Sequence, residues 1–100
     1  MLCFLTARKL KPGAWQDFRK AWEPDEWDPR FIRAYHVRSL NDENEVISFG
    51  LFDGTPDDYR AMAREREETR VDRMSAFVDQ VLVDGVYEVI DEVSPRGGAS

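Results

Sequence analysis

The chain has 100 residues, 34% of them charged, and a formal net charge of −6 at neutral pH. That is one domain's length of chain, and its acidity disfavours a nucleic-acid backbone or an anionic membrane as partner. A single cysteine, Cys3, excludes an internal disulfide and a multi-cysteine metal site, and a single histidine, His36, leaves any protein-only zinc site dependent on carboxylates.

Leu2 to Leu5 is apolar but too short to span a bilayer, and Arg8 and Lys9 follow it rather than precede it, unlike a secretory leader. A cytoplasmic protein is expected. No phosphate-cradling glycine loop, dinucleotide fingerprint or nucleophile elbow occurs, so no metal, haem or flavin is expected either.

Residues 2–10 read as a first strand, ended by Lys11-Pro12-Gly13 because proline cannot continue a ladder and glycine frees a turn. Residues 14–23 read as a helix, with Trp15, Phe18 and Trp22 at spacings of three and four. Pro24 stops it, and residues 24–30 form a polar loop carrying Trp27. Residues 31–54 read as a β-hairpin, two β-branched and aromatic runs around the turn Asn41-Asp42-Glu43-Asn44. Gly54 closes it. Thr55 is then a helix N-cap, with Pro56 at the first helical position and Asp57 and Asp58 in the first turn.

The second helical region is expected over residues 56–80. Tyr59, Met62 and Ala63 begin an apolar stripe, residues 64–70 interrupt it with no apolar side chain, and Val71, Met74, Phe77, Val78 and Val81 resume it. The interruption predicts a kink or solvated turn between two helices. Val81-Leu82-Val83 reads as an extended link, Asp84-Gly85 as a turn, residues 86–93 as the last strand and residues 94–100 as a disordered tail. The order βαββαβ over residues 1–93 predicts an α+β, ferredoxin-like domain with one antiparallel four-stranded sheet.

Period-two alternation sorts the hairpin into two sets. In the preferred register Phe31, Tyr35 and Val37 share a face with Ile47, Phe49 and Leu51, while Ala34, His36 and Arg38 share the other with Ser48, Gly50 and Phe52. The bulky set is expected under the helices. The small set then lines an open face holding a cavity with one base and one cation. Two helical regions cover one face only. Val46, Phe52, Ile32 and Phe4 are therefore expected on an uncovered face that closes by homodimerisation.

Three stretches resemble the antibiotic biosynthesis monooxygenase (ABM) family. Residues 6–13 resemble its first strand and "KPG" corner, residues 34–39 with Asn41-Asp42-Glu43 its second strand and acidic turn, and residues 49–57 its third strand entering the second helix. The resemblance implies a dimeric α+β barrel. It also implies a cofactor-independent monooxygenase acting on an aromatic, polyketide- or quinone-like metabolite. Haem-cleaving members are similar to one another in an Asn on the first strand and a Trp and a haem-ligating His on the second helix. Here Thr6, Met62 and Val71 stand near those places, so haem cleavage is not expected. The Trp that phenol-oxidising members carry on that helix is missing as well.

His36 is the one side chain with an ordinary pKa near neutrality, and is the candidate base that takes a proton from a phenol or enol. Arg38 is the candidate partner of the resulting anion. His36 equally reads as a hydrogen-bonded strand histidine, and Arg38 as a solvated strand end. Thr6, Ser48, Phe52, Tyr59 and Trp27 are the candidate pocket residues for a small aromatic ligand. The alternative function is a non-catalytic dimeric module that binds a small molecule.

Overall fold

Six elements follow one another along the chain: β1 (Leu2–Leu10), α1 (Trp15–Trp22), β2 (Phe31–Arg38), β3 (Glu45–Phe52), α2 (Pro56–Ser75) and β4 (Val78–Glu88). The computed structural model describes residues 1–96, and their side chains except those of residues 65–72. Of the tail expected over residues 94–100, residues 97–100 lie outside the described residues. The strands form one four-stranded sheet in the order β2-β3-β1-β4, antiparallel throughout. This is the expected ferredoxin-like α+β arrangement. No helix among the described residues is long and apolar enough to cross a membrane.

Local chemistry explains the boundaries. Gly13 turns the chain out of β1 at φ +73°, a conformation that costs glycine nothing. α2 opens on a capping box: Thr55 Oγ1 accepts from the Asp58 amide at 3.1 Å, and Asp58 Oδ2 accepts from the Thr55 amide at 2.9 Å. Residues 64–70 do not divide the region into two helices; α2 is one helix of 20 residues. Beyond Pro56 it holds no proline or glycine, and its Ala, Arg, Glu and Met residues are strong helix formers, so propensity carries it across the gap in the apolar stripe.

β4 departs from expectation at both ends. It begins at Val78, so Val78 and Val81 are strand residues, and it stops at Glu88 rather than at residue 93. Asp84 and Gly85 are no turn; they pair with Thr6 and Leu5 inside the strand. Two register shifts, between Ala7 and Arg8 and between Lys9 and Leu10, absorb the extra residues of β4. A local Asp-Gly signal loses here to continuous pairing along β1.

The hairpin sets are grouped as expected except at Phe31, with Ala34 opposite Gly50, His36 opposite Ser48 and Tyr35 opposite Phe49; a register shift between Phe31 and Arg33 sets Phe31 opposite Phe52 instead of with Ile47, Phe49 and Leu51. The faces are reversed. Val46, Ser48, Gly50 and Phe52 are the buried side of β3 and lie under the helices, while Tyr35 and Val37 are exposed. Phe52 and Phe4, expected on the uncovered face, pack with Phe31, and Phe4 also meets Tyr59 of α2. Val46 joins the core beneath α1, and Ile32 alone of that group is exposed. The reason is volume. α1 brings its own bulk in Trp15, Phe18 and Trp22, and such side chains fit above small sheet residues better than above a second bulky layer.

The covered face holds two packed clusters, one at each end. Leu10, Phe18, Val46 and Met74 form the first, with Trp15, Trp22 and Phe77 against it. Phe4, Phe31, Phe52 and Tyr59 form the second, through ring contacts of 4.7 to 5.4 Å. The molecule is 20 Å deep in its thinnest direction, the depth of one helix layer on one sheet at about 10 Å each. The opposite sheet face therefore has no cover among the described residues.

Candidate functional site

Between the two clusters the middle of the sheet carries only short side chains, Thr6, Ala34, Ser48 and Gly50, and a cavity of about 190 Å³ opens above them. Phe4 and Phe31 from the sheet, Trp22 and Trp27 from α1 and the loop after it, and Tyr59 and Met62 from α2 form its walls. Arg8 and Asp84 add one cation and one carboxylate. The Arg8 guanidinium lies 5.2 Å from the centre of the Phe18 ring, a cation–π contact that holds it at the floor.

The loop carrying Trp27 is tied down on both sides. Arg30 meets both Asp28 carboxylate oxygens, at 2.7 and 2.9 Å, and reaches Asp58 at the start of α2 at 3.2 Å. Asp25 pairs with Arg73 near the end of α2 at 3.4 Å. Trp27 packs between Trp22 and Phe31, with ring centres 5.5 and 5.3 Å away.

His36 does not stand on an open face. Its ring sits edge-on among Trp15, Phe18 and Trp22, 5.2, 6.3 and 4.3 Å from their centres. Nδ1 lies 2.7 Å from Ser48 Oγ, and Nε2 is buried with no hydrogen-bond partner among the described residues. Burial, and then the charges of Arg19 and Arg8, lower its pKa to about 4. The ring is neutral at neutral pH, and its route to the cavity runs through the Ser48 hydroxyl.

Of the expected pocket residues, Thr6, Ser48, Tyr59 and Trp27 line the cavity. Phe52 does not; it is fully buried beneath Phe4, Phe31 and the Arg30 guanidinium. Arg38 is also elsewhere, 5.9 Å from the Trp15 ring centre in a separate recess that it lines together with Trp15, His36, Val37 and Val46. Arg8 and Asp84 are the polar lining residues that the sequence reading passed over. Arg8 has a detectable signal, since Phe4, Thr6 and Arg8 alternate on one side of a strand. Asp84 has none, because Asp-Gly imitates a turn.

The one imidazole of the chain has its outer nitrogen walled in by α1, so no histidine is placed to ligate a haem iron in the cavity. Among the described residues no three His, Cys, Asp or Glu side chains converge as a metal site.

No protein-family model matches the sequence, and no curated protein matches it at a significant level. Solved structures do match the fold. A protein from Chloroflexus aurantiacus J-10-fl described as an antibiotic biosynthesis monooxygenase superposes with a TM-score of 0.71 at 8% identity, over 93% of this chain and 96% of that one. A protein of the same description from Nitrosomonas europaea gives 0.68 at 16% identity, over 91% and 100%. A mutant of SnoaB, a cofactor-independent oxygenase from Streptomyces nogalater, gives 0.72 at 12% identity, over 92% and 95%. At these identities the likeness is one of fold, and the chain has the fold of the antibiotic biosynthesis monooxygenase proteins over nearly its whole length.

Proposed function

We propose that the cleft between sheet and helices binds a small planar aromatic metabolite, and that the chain acts on it as a cofactor-independent monooxygenase. The observation that carries this reading is the cavity's composition: Phe4, Trp22, Trp27, Phe31 and Tyr59 surround a floor that holds one guanidinium, Arg8, and the hydroxyls of Thr6 and Ser48. Aromatic walls bind a flat apolar body and keep water out. A phenol or enol seated there gives up its proton by way of the Thr6 hydroxyl to the Asp84 carboxylate, and Arg8, in the role first expected of Arg38, steadies the anion. The desolvated anion then passes an electron to oxygen. Overall an activated CH₂ becomes a carbonyl: one atom of O₂ enters the product and the other leaves with the two hydrogens as water.

One observation favours a second reading, a non-catalytic binding module. His36, the natural base, is made a weak one by a pKa lowered to about 4 and does not line the cavity, standing behind Ser48. Oxygen uptake and tryptophan-fluorescence quenching on a panel of anthrones and naphthols separate the two. Quenching with uptake supports the oxygenase. Quenching without uptake supports the binding module, and neither signal removes both.

The functional unit we infer is a homodimer closed through the open sheet face. Tyr35, Val37, Val83 and Tyr87 are each more than 40% exposed there, beside Phe49 and Leu51. Burying about 800 Å² per subunit makes an ordinary stable interface. At about 25 cal/mol per Å² of its apolar part, the gross gain is on the order of 10 kcal/mol before association costs.

A further inference from the structure

Four polar side chains stand in one row across the covered face, one from each strand. His36 of β2 is paired with Ser48 of β3, Ser48 with Thr6 of β1, and Thr6 with Asp84 of β4. Two of the three steps are bridged: His36 Nδ1 lies 2.7 Å from Ser48 Oγ, and Thr6 Oγ1 donates to Asp84 Oδ1 at 3.4 Å. The middle step is not bridged. Ser48 and Thr6 both face the cavity with no hydrogen bond between them. Directly opposed side chains in an antiparallel pair have Cβ atoms about 4.5–5.5 Å apart, which leaves room for one oxygen atom bonded to both hydroxyls.

The row has a direction. His36 Nε2 is buried among aromatic rings with no hydrogen-bond partner among the described residues. A buried unpaired N–H is rarer than an unpaired acceptor, so the ring proton belongs on Nδ1, where it is donated to Ser48 Oγ. The Ser48 hydrogen is then left to point into the cavity. At the other end the Asp84 carboxylate only accepts, so Thr6 donates to it and offers lone pairs to the cavity. The gap thus has a donor on one side and an acceptor on the other. A carbonyl or an ether satisfies the first alone; a hydroxyl satisfies both.

We propose that the gap between Ser48 and Thr6 is a hydroxyl-selecting slot, which seats the O–H of a phenol or enol as the missing link in a chain of donors running from His36 through Ser48, ligand and Thr6 to Asp84. This rests on the reading of the cleft as an aromatic-ligand site, and it names the ligand group that the site recognises. The seated hydroxyl has its hydrogen turned toward the carboxylate end. Thr6 and Ser48 are the groups in contact with it; His36 and Asp84 act through them as positioning residues.

The test is binding of 1-naphthol against 1-methoxynaphthalene, followed by tryptophan quenching, in the wild type and in Ser48→Ala, Thr6→Val, Thr6→Ser and Asp84→Asn. The ether is the more apolar ligand, so an unselective aromatic cleft favours it. The slot predicts the opposite, a preference for the naphthol of about tenfold. The ratio falls toward one in Thr6→Val and Ser48→Ala, drops part-way in Asp84→Asn, and is restored in Thr6→Ser. A change in stability alone moves both ligands together and leaves the ratio untouched. Equal or tighter binding of the ether by the wild type overturns the slot while the aromatic cleft stands, as does an unchanged ratio in both Thr6→Val and Ser48→Ala. Failure of both ligands to bind overturns the cleft and the slot together.

Discussion

The imidazole of His36 stands edge-on to the indole of Trp22, their ring centres 4.3 Å apart at 79°. The strand histidine and the last aromatic of α1 thus form the inner wall between the packed core and the cavity. Trp22 lines the cavity directly, while His36 reaches it through Ser48. A charged imidazolium is disfavoured there by burial and by the nearby guanidinium groups of Arg19 and Arg8.

Stability follows from that position. His36 has a folded pKa near 4, below its ordinary value of 6.5, so between those values the unfolded chain binds the proton and the folded chain does not. Its contribution is complete above about pH 6.5 and is lost as pH falls toward about 4. With no other histidine in the chain, the upper part of this window is free of carboxylate titration. Urea unfolding should lose on the order of 1 kcal/mol between about pH 6.5 and about pH 5, a figure reduced for the ring's partial contact with solvent. In His36→Phe the slope over that interval should vanish.

Arg8 acts on the same ring and on the cavity. Its charge is one of the causes that lower the His36 pKa. In Arg8→Met the imidazole resonances should therefore titrate at a higher pH than in the wild type, as followed by NMR. Any oxygen uptake on a naphthol or anthrone substrate should fall by about tenfold or more with the loss of the anion's partner. An unmoved imidazole titration would show that the guanidinium does not sit where the structure has it.

The open sheet face gives a prediction about mass. Light scattering at micromolar concentration should report twice the 11.6 kDa of the chain. Val83 is 41% exposed in the single chain, so Val83→Asp should leave the subunit folded and yield monomers. A charge buried there without a partner costs several kcal/mol, on the order of 3. Phe52→Asp should instead unfold the subunit, because Phe52 lies in its interior. A monomeric wild type would remove the two-fold barrel.

The start of α2 is held by a capping box whose acid also reaches the Trp27 loop. Thr55→Ala should cost about 1 kcal/mol in denaturant unfolding. Asp58→Ala should cost at least as much, because it also removes the 3.2 Å contact with Arg30. Only the second substitution should shift the tryptophan emission of the folded protein, through Trp27.

The sequence by itself determines the elements whose signals are local. The proline and glycine after β1, the 3–4 spacing of Trp15, Phe18 and Trp22, and the Thr55-Pro56-Asp57-Asp58 start each act within a few residues and lie where they were expected. Period-two alternation likewise settles that His36, Ser48, Gly50 and Phe52 share a face. It does not say which side of the sheet is covered, because alternation is symmetric between faces. Packing decides that. The bulk of α1 seats over the small set, which turns His36 inward, exposes Tyr35 and Val37, and leaves the cavity under Trp22. Asp84 and Arg8 enter the site only because β4 and β3 flank β1, with pairings that join residues as far apart as Thr6 and Asp84. Such non-local register depends on the packing of the whole sheet. No short stretch of the chain encodes the row from His36 to Asp84.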